Sequence, residues 1–155
     1  MKNINIVLLN PEIPQNTGNI SRTCAVTGAA LHIVYPIGFE ISDRTLKRAG
    51  LDYWDKLDIT YYDSYEDFIK KNGEYPMYYF TSKAKHNYAE VEYPDNVFLV
   101  FGRETAGIDR EIIDANPDTS LRIPMLPTLR CLNLSNAVAI ATYEVLRQRG
   151  FDLLV

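Results

Sequence analysis

The fold is decided by Val97-Phe98-Leu99-Val100-Phe101, a wholly apolar run that ends at once in the polar loop Gly102-Arg103-Glu104-Thr105-Ala106-Gly107. Five apolar residues bounded by Asn96 and Gly102 predict a strand, and glycines at 102 and 107 let the chain turn tightly at its end. Working outward, similar runs at Ile4–Leu9, Leu31–Tyr35, Ile59–Tyr62, Met77–Thr81 and Leu121–Ile123 are each bounded by Pro, Gly, Asn or Asp. Between them, amphipathic spacing predicts helices at Thr17–Ala29, Asp43–Ala49, Tyr65–Lys71, Asp109–Ala115 and Leu134–Arg149. Strands alternating with helices imply an α/β fold, a mostly parallel sheet flanked by helices. At 155 residues the chain is expected to form a single domain over 1–155.

Composition narrows the function classes. Apolar residues make up 46% and charged residues 23%, with six Phe, eleven Tyr and one Trp, which is globular rather than disordered or fibrous. No apolar run approaches the roughly 20 residues a bilayer needs, so no membrane partner is expected and the location is read as cytoplasmic. Cys24 and Cys131 are far apart, and His32 and His86 are the only histidines, so neither a disulfide framework nor a metal site is expected. A net charge of −4 argues against binding polyanions through overall charge, though not against a local basic surface.

Ligands of open α/β sheets bind beyond the carboxyl ends of strands, so the loops there carry the chemistry. The first runs from Asn10 to Arg22, where Thr17, Gly18 and Asn19 suit a helix start and Arg22 is expected in or near its first turn. A helix start beside an arginine suits a phosphate; a capped helix with a surface arginine is the simpler explanation, since caps far outnumber anion sites. The second, Gly102 to Gly107, has the glycine spacing of a phosphate loop but Ile108 and Asp109 where that loop needs Lys and Ser or Thr. Nor does G-x-G-x-x-G occur anywhere. Glu104 either serves the site or merely pairs with Arg103 or a lysine. The third cluster runs from Arg122 through Ile123-Pro124-Met125 to Cys131-Leu132-Asn133-Leu134-Ser135-Asn136, with Asn133, Ser135 and Asn136 as candidate helix caps.

In this order the clusters resemble the three motifs of the SPOUT class of RNA methyltransferases: Asn16 and Arg22 six apart, Gly102-x-Glu104-x-x-Gly107, and Ile123-Pro124-Met125 before Cys131-Leu132-Asn133-Leu134-Ser135-Asn136-Ala137. The similarity spans nearly the whole chain. With no added RNA-binding domain, it looks most like the small group that methylates the ribose 2′-hydroxyl of the wobble cytidine or modified uridine in the tRNA anticodon. That resemblance implies S-adenosyl-L-methionine as donor, a C-terminal trefoil knot and a homodimer. It implies cofactor contacts from Phe80, Thr81, Gly102, Gly107, Ile123, Met125, Cys131 and Leu132. Many relatives carry serine at the place of Cys131.

The same resemblance puts Arg22 beside the reacting hydroxyl, with Asn16 orienting it and Glu104 and Asn133 fixing the pocket. A guanidinium gives up its proton too reluctantly to be an easy base. Arg22 is therefore expected to bind the adjacent phosphate and stabilise the developing alkoxide, base catalysis remaining the alternative. RNA contacts are expected from Lys83, Lys85, Arg103 and Arg130, with Lys47, Arg48 and Arg110 as further basic candidates and Tyr88 available to stack on a base. The helix 134–149 is apolar around most of its circumference, which predicts that it also faces a second subunit. Two rival readings share these motifs: ribose methylation of ribosomal RNA, and a non-catalytic dimer that binds RNA or S-adenosyl-L-methionine.

Overall fold

The computed structural model describes residues 3–155 except Asp43, Thr45, Lys47, Ala49, Gly50 and Arg130, with only the backbone at 51–53. The strands are β1 (Ile4–Leu9), β2 (Ala30–Val34), β3 (Ile59–Tyr62), β4 (Met77–Phe80), β5 (His86–Asn87), β6 (Val97–Phe101) and β7 (Ser120–Arg122). The helices are α1 (Pro14–Thr27), α2 (Tyr65–Asn72), α3 (Arg110–Ala115) and α4 (Leu134–Gln148), with 3₁₀ turns at Leu51–Lys56 and Pro117–Thr119. One sheet runs β3-β2-β1-β6-β4-β7-β5, and its strand pairings are parallel throughout.

β1 and β6 lie at the centre, in register from Ile4 opposite Val97 to Leu8 opposite Phe101, and every residue of both is buried. A parallel strand covered on both faces has no polar side to show, which is why β6 reads as an unbroken apolar run and β1 departs from one only at Asn5, whose side chain is hydrogen-bonded. On one face Ile4, Ile6, Leu8, Leu99 and Phe101 pack with Ile20 and Cys24 of α1 and Val138, Ala141 and Val145 of α4. On the other, Val7, Leu9, Phe98 and Val100 pack with Phe68 of α2 and with Ile112 and Ile113 of α3.

That second face also holds a polar chain. His32 Nε2 lies 3.0 Å from Asn5 Oδ1 and Nδ1 lies 2.8 Å from the Tyr62 hydroxyl, which in turn accepts from Asn72 Nδ2 at 3.1 Å. Asn5 Nδ2 donates to Asn96 Oδ1, so its Oδ1 is the free acceptor and the proton of neutral His32 belongs on Nε2. Burial holds the imidazole well below its ordinary range, at about 4.

Several expected boundaries shift. β2, β4 and β7 end one residue earlier than expected, at Val34, Phe80 and Arg122, and α4 ends at Gln148 with Arg149 as its C-cap. β5 was not expected at all; two residues held by β7 leave no apolar pattern to read. The expected helix Asp43–Ala49 falls largely outside the described residues. The larger change is α1, which begins at Pro14 rather than Thr17, a proline at the first helical position being a natural start. Arg22 therefore stands in the third turn, not the first. No described helix is long and apolar enough to cross a membrane.

Candidate active site

Because all pairings are parallel, the exits of β1, β4, β6 and β7 gather along one edge of the sheet. Together with the first turn of α4 they enclose a cavity of about 750 Å³, within the range usual for small-ligand sites. Its floor and sides include Phe80, Thr81, Gly102, Gly107, Ile123, Met125, Cys131 and Leu132, so the eight residues expected to touch a cofactor line one space. Asn16, Glu104 and Asn133 line it too, as do Lys83 and Arg103. Arg22, Lys85 and the half-buried Tyr88 do not; Arg130, like Lys47, lies outside the described residues.

The β6 exit is shaped by its glycines. A Cβ on Gly102 would fall 2.1 Å from the Gly107 carbonyl carbon, so only glycine fits. Gly107 has φ +68°, the left-handed region, and its amide donates to the Arg103 carbonyl at 2.9 Å, closing the turn. Phe80 stacks on Phe101 beneath, with centroids 4.8 Å apart.

Three polar side chains from distant segments form one chain across the cavity wall. Glu104 accepts from the Glu12 amide at 2.9 Å, from the Ile13 amide at 2.7 Å and from Asn16 Nδ2 at 3.2 Å. Asn133 Nδ2 donates to Asn16 Oδ1 at 3.1 Å, while Asn133 Oδ1 caps α4 by accepting from the Ser135 and Asn136 amides. Of the three candidate caps of α4, Asn133 is the one used.

At the start of α1 the protein's own Glu104 carboxylate accepts from the Glu12 and Ile13 amides, just ahead of the helix. Glu104 is not tied to Arg103, whose guanidinium pairs with Asp109. Arg22, exposed on the outer side of α1, is about 9 Å further along the axis than Asn16 and turned about 120° from it.

Reading along the sequence missed Glu12 and Thr105. Glu12 Oε1 accepts from the Thr105 amide at 3.1 Å and its hydroxyl at 2.7 Å, which holds the Glu12 carboxyl below its usual range. These partners lie 93 residues apart, and neither segment signals the other. Cys131 is exposed at the lip, whereas Cys24 is buried in the core with its thiol pushed up to about 12 by desolvation.

Residues 3–143 match the SpoU rRNA Methylase family. The chain belongs to that family. Among its relatives is an Escherichia coli (strain K12) protein named tRNA (cytidine(34)-2′-O)-methyltransferase, 45% identical over 149 residues that cover 96% of this chain and 95% of the other. A solved structure from work on the 2-OH methylation of C/U34 on tRNA is 38% identical with a TM-score of 0.91, covering 96% of this chain and 97% of its own. An AdoMet-bound rRNA methyltransferase from Sinorhizobium meliloti superimposes with a TM-score of 0.84 at 25% identity, over 99% of this chain and 57% of that one. The family match and these folds agree with the α/β architecture built above.

Proposed function

We propose that this chain transfers a methyl group from S-adenosyl-L-methionine to the ribose 2′-hydroxyl of the wobble nucleotide, cytidine or modified uridine, of a tRNA anticodon. The observation that carries the reading is the cavity at the strand exits, in which the Glu104–Asn16–Asn133 chain is framed by the glycine turn at 102–107. The likeness to the E. coli tRNA enzyme along almost the whole of both chains supports tRNA over ribosomal RNA as substrate.

The residues fit the cofactor. Phe80, Ile123 and Leu134 offer apolar surface to an adenine ring, and the backbone at Thr81, Gly102 and Leu132 can supply polar contacts at close range. When bound, S-adenosyl-L-methionine supplies a methyl group activated by its sulfonium charge. Glu104 accepts from Glu12, Ile13 and Asn16 and so orients the wall. Asn133 fixes where α4 begins relative to that wall. Lys83 at the cavity lip and Lys85 just beyond it are set to meet RNA phosphates, and Arg103 and Arg130 are assigned the same role.

Arg22 does not line the cavity of its own chain, so its proposed role in binding the phosphate and stabilising the alkoxide belongs to a homodimer. Val26 is 52% exposed on α1, and Ile140 and Tyr143 are 37% and 44% exposed on α4, giving a second subunit apolar surface to cover. The dimer, the C-terminal trefoil knot and the cytoplasmic location are part of the same proposal.

The test is methyl transfer from labelled S-adenosyl-L-methionine to unmethylated bulk tRNA, with the product mapped to a nucleotide and Arg22→Ala as control. Label on a wobble 2′-oxygen, lost in the variant, is the expected result. With ribosomal RNA offered in parallel, label there and none on tRNA would overturn the substrate, and cofactor binding without transfer to either would leave a binding protein.

A further inference from the structure

Glu12 and Glu104 hold one another's loops. The Glu104 carboxylate receives the Glu12 and Ile13 amides, and the Glu12 carboxylate receives the Thr105 amide and hydroxyl. Each loop thus presents its backbone donors to an acid from the other, and the two cannot separate without stranding four donors.

The Glu12 side of this interlock is fixed from behind. Asn10, at φ +55°, donates its amide to the Val34 carbonyl at 3.0 Å and its Nδ2 to the Pro36 carbonyl at 3.1 Å. The Gly38 amide donates to the Pro11 carbonyl at 2.9 Å, and a Cβ at Gly38 would meet the Glu12 Cα and carbonyl oxygen at 3.0 Å. The β1 exit is therefore pinned against the β2 exit. The 102–107 turn is held by its internal Gly107–Arg103 bond, by the Arg103–Asp109 pair, and by Glu104 and Thr105, which bond the β1 exit and α1. Of these, Thr105 is held by Glu12.

We propose that Glu12 is a positioning residue, which through Thr105 sets the conformation of the 102–107 turn and hence the cavity wall. Its relevance to cofactor binding rests on the methyltransferase reading. The requirement is for an acceptor oxygen rather than for charge. Glu12 Oε1 takes both Thr105 bonds, and glutamine keeps such an oxygen.

The experiment compares Glu12→Ala and Glu12→Gln by hydrogen exchange at the Thr105 amide and by steady-state methyl transfer, with thermal melting to establish that both fold. In Glu12→Ala the Thr105 amide is expected to exchange about tenfold faster or more, and the KM for S-adenosyl-L-methionine to rise about tenfold with kcat within about threefold. Glu12→Gln is expected to stay within about threefold of wild type in all three. Unchanged exchange and KM in Glu12→Ala would overturn the proposal, as would a glutamine variant as impaired as the alanine one. Exchange that rises in the alanine variant and recovers in the glutamine one, in a protein that does not bind S-adenosyl-L-methionine, would uphold the interlock and overturn the methyltransferase reading.

Discussion

Asn133 Nδ2 donates to Asn16 Oδ1 at 3.1 Å, joining residues 117 positions apart, while the other end of the same Asn133 amide caps α4. One side chain thus does two separable things. Asn133→Asp keeps the acceptor that caps the helix and loses the donor to Asn16; Asn133→Ala loses both. Thermal or urea unfolding is expected to show Asn133→Asp near wild type and Asn133→Ala lower by about 1 kcal/mol. Calorimetry is expected to show weakened S-adenosyl-L-methionine binding in both. If the aspartate variant binds normally, the Asn16 link does not shape the cavity.

Arg22 and Glu104 serve different parts of the proposed dimer. Arg22→Ala and Glu104→Ala homodimers are each expected to be nearly inactive. After unfolding and refolding an equal mixture, about a quarter of wild-type turnover is expected to return, since half the dimers are mixed and each carries one intact site. No recovery would mean that Arg22 acts on the cavity of its own chain.

His32 makes stability depend on pH. Its buried imidazole is neutral in the fold, at about 4 against an ordinary 6.5, so the unfolded chain takes the proton first. The associated stability is fully present above pH 6.5 and is lost progressively toward pH 4, by about 3 kcal/mol at most. Urea unfolding at pH 7.5 and 4.5 measures this, and His32→Gln is expected to reduce the difference by about that amount. An equal pH dependence in both proteins would remove His32 as its source.

The two cysteines predict selective chemistry. Native protein treated with iodoacetamide is expected to carry one adduct, on Cys131 at the lip, while Cys24 stays unmodified until the chain unfolds. S-adenosylhomocysteine is expected to slow the modification, and the adduct to block cofactor binding. Mass spectrometry of the digested protein reads both, and equal rates with and without ligand would put Cys131 outside the bound site.

What could be read along the chain was what depends on neighbours. β1 and β6 were legible because burial on both faces demands runs that are apolar throughout or, in β1, at all but Asn5, and the cavity loops because glycine and proline mark tight exits. The start of α1 was misjudged because its N-terminal amides are met by Glu104, 91 residues on from Ile13, rather than by a local cap. Three residues of error there, nearly one turn, put Arg22 in the third turn of the helix, and it does not line the cavity. Glu12 escaped notice for a similar reason, its partner Thr105 being equally remote. β5, two residues borrowed by β7, had no pattern of its own.

Because the first turn of α4 supplies the last wall of the cavity, a nascent chain meets its own binding site only once residues 133–137 have been made. A chain halted before Leu134 lacks Val138, Ala141 and Val145, which cover one face of β1 and β6. It has no capped helix for Asn133 to anchor, and therefore no complete pocket. Ligand binding stabilises only the state that binds, so on the proposed function S-adenosyl-L-methionine would stabilise chains that have made α4 and not those that have yet to.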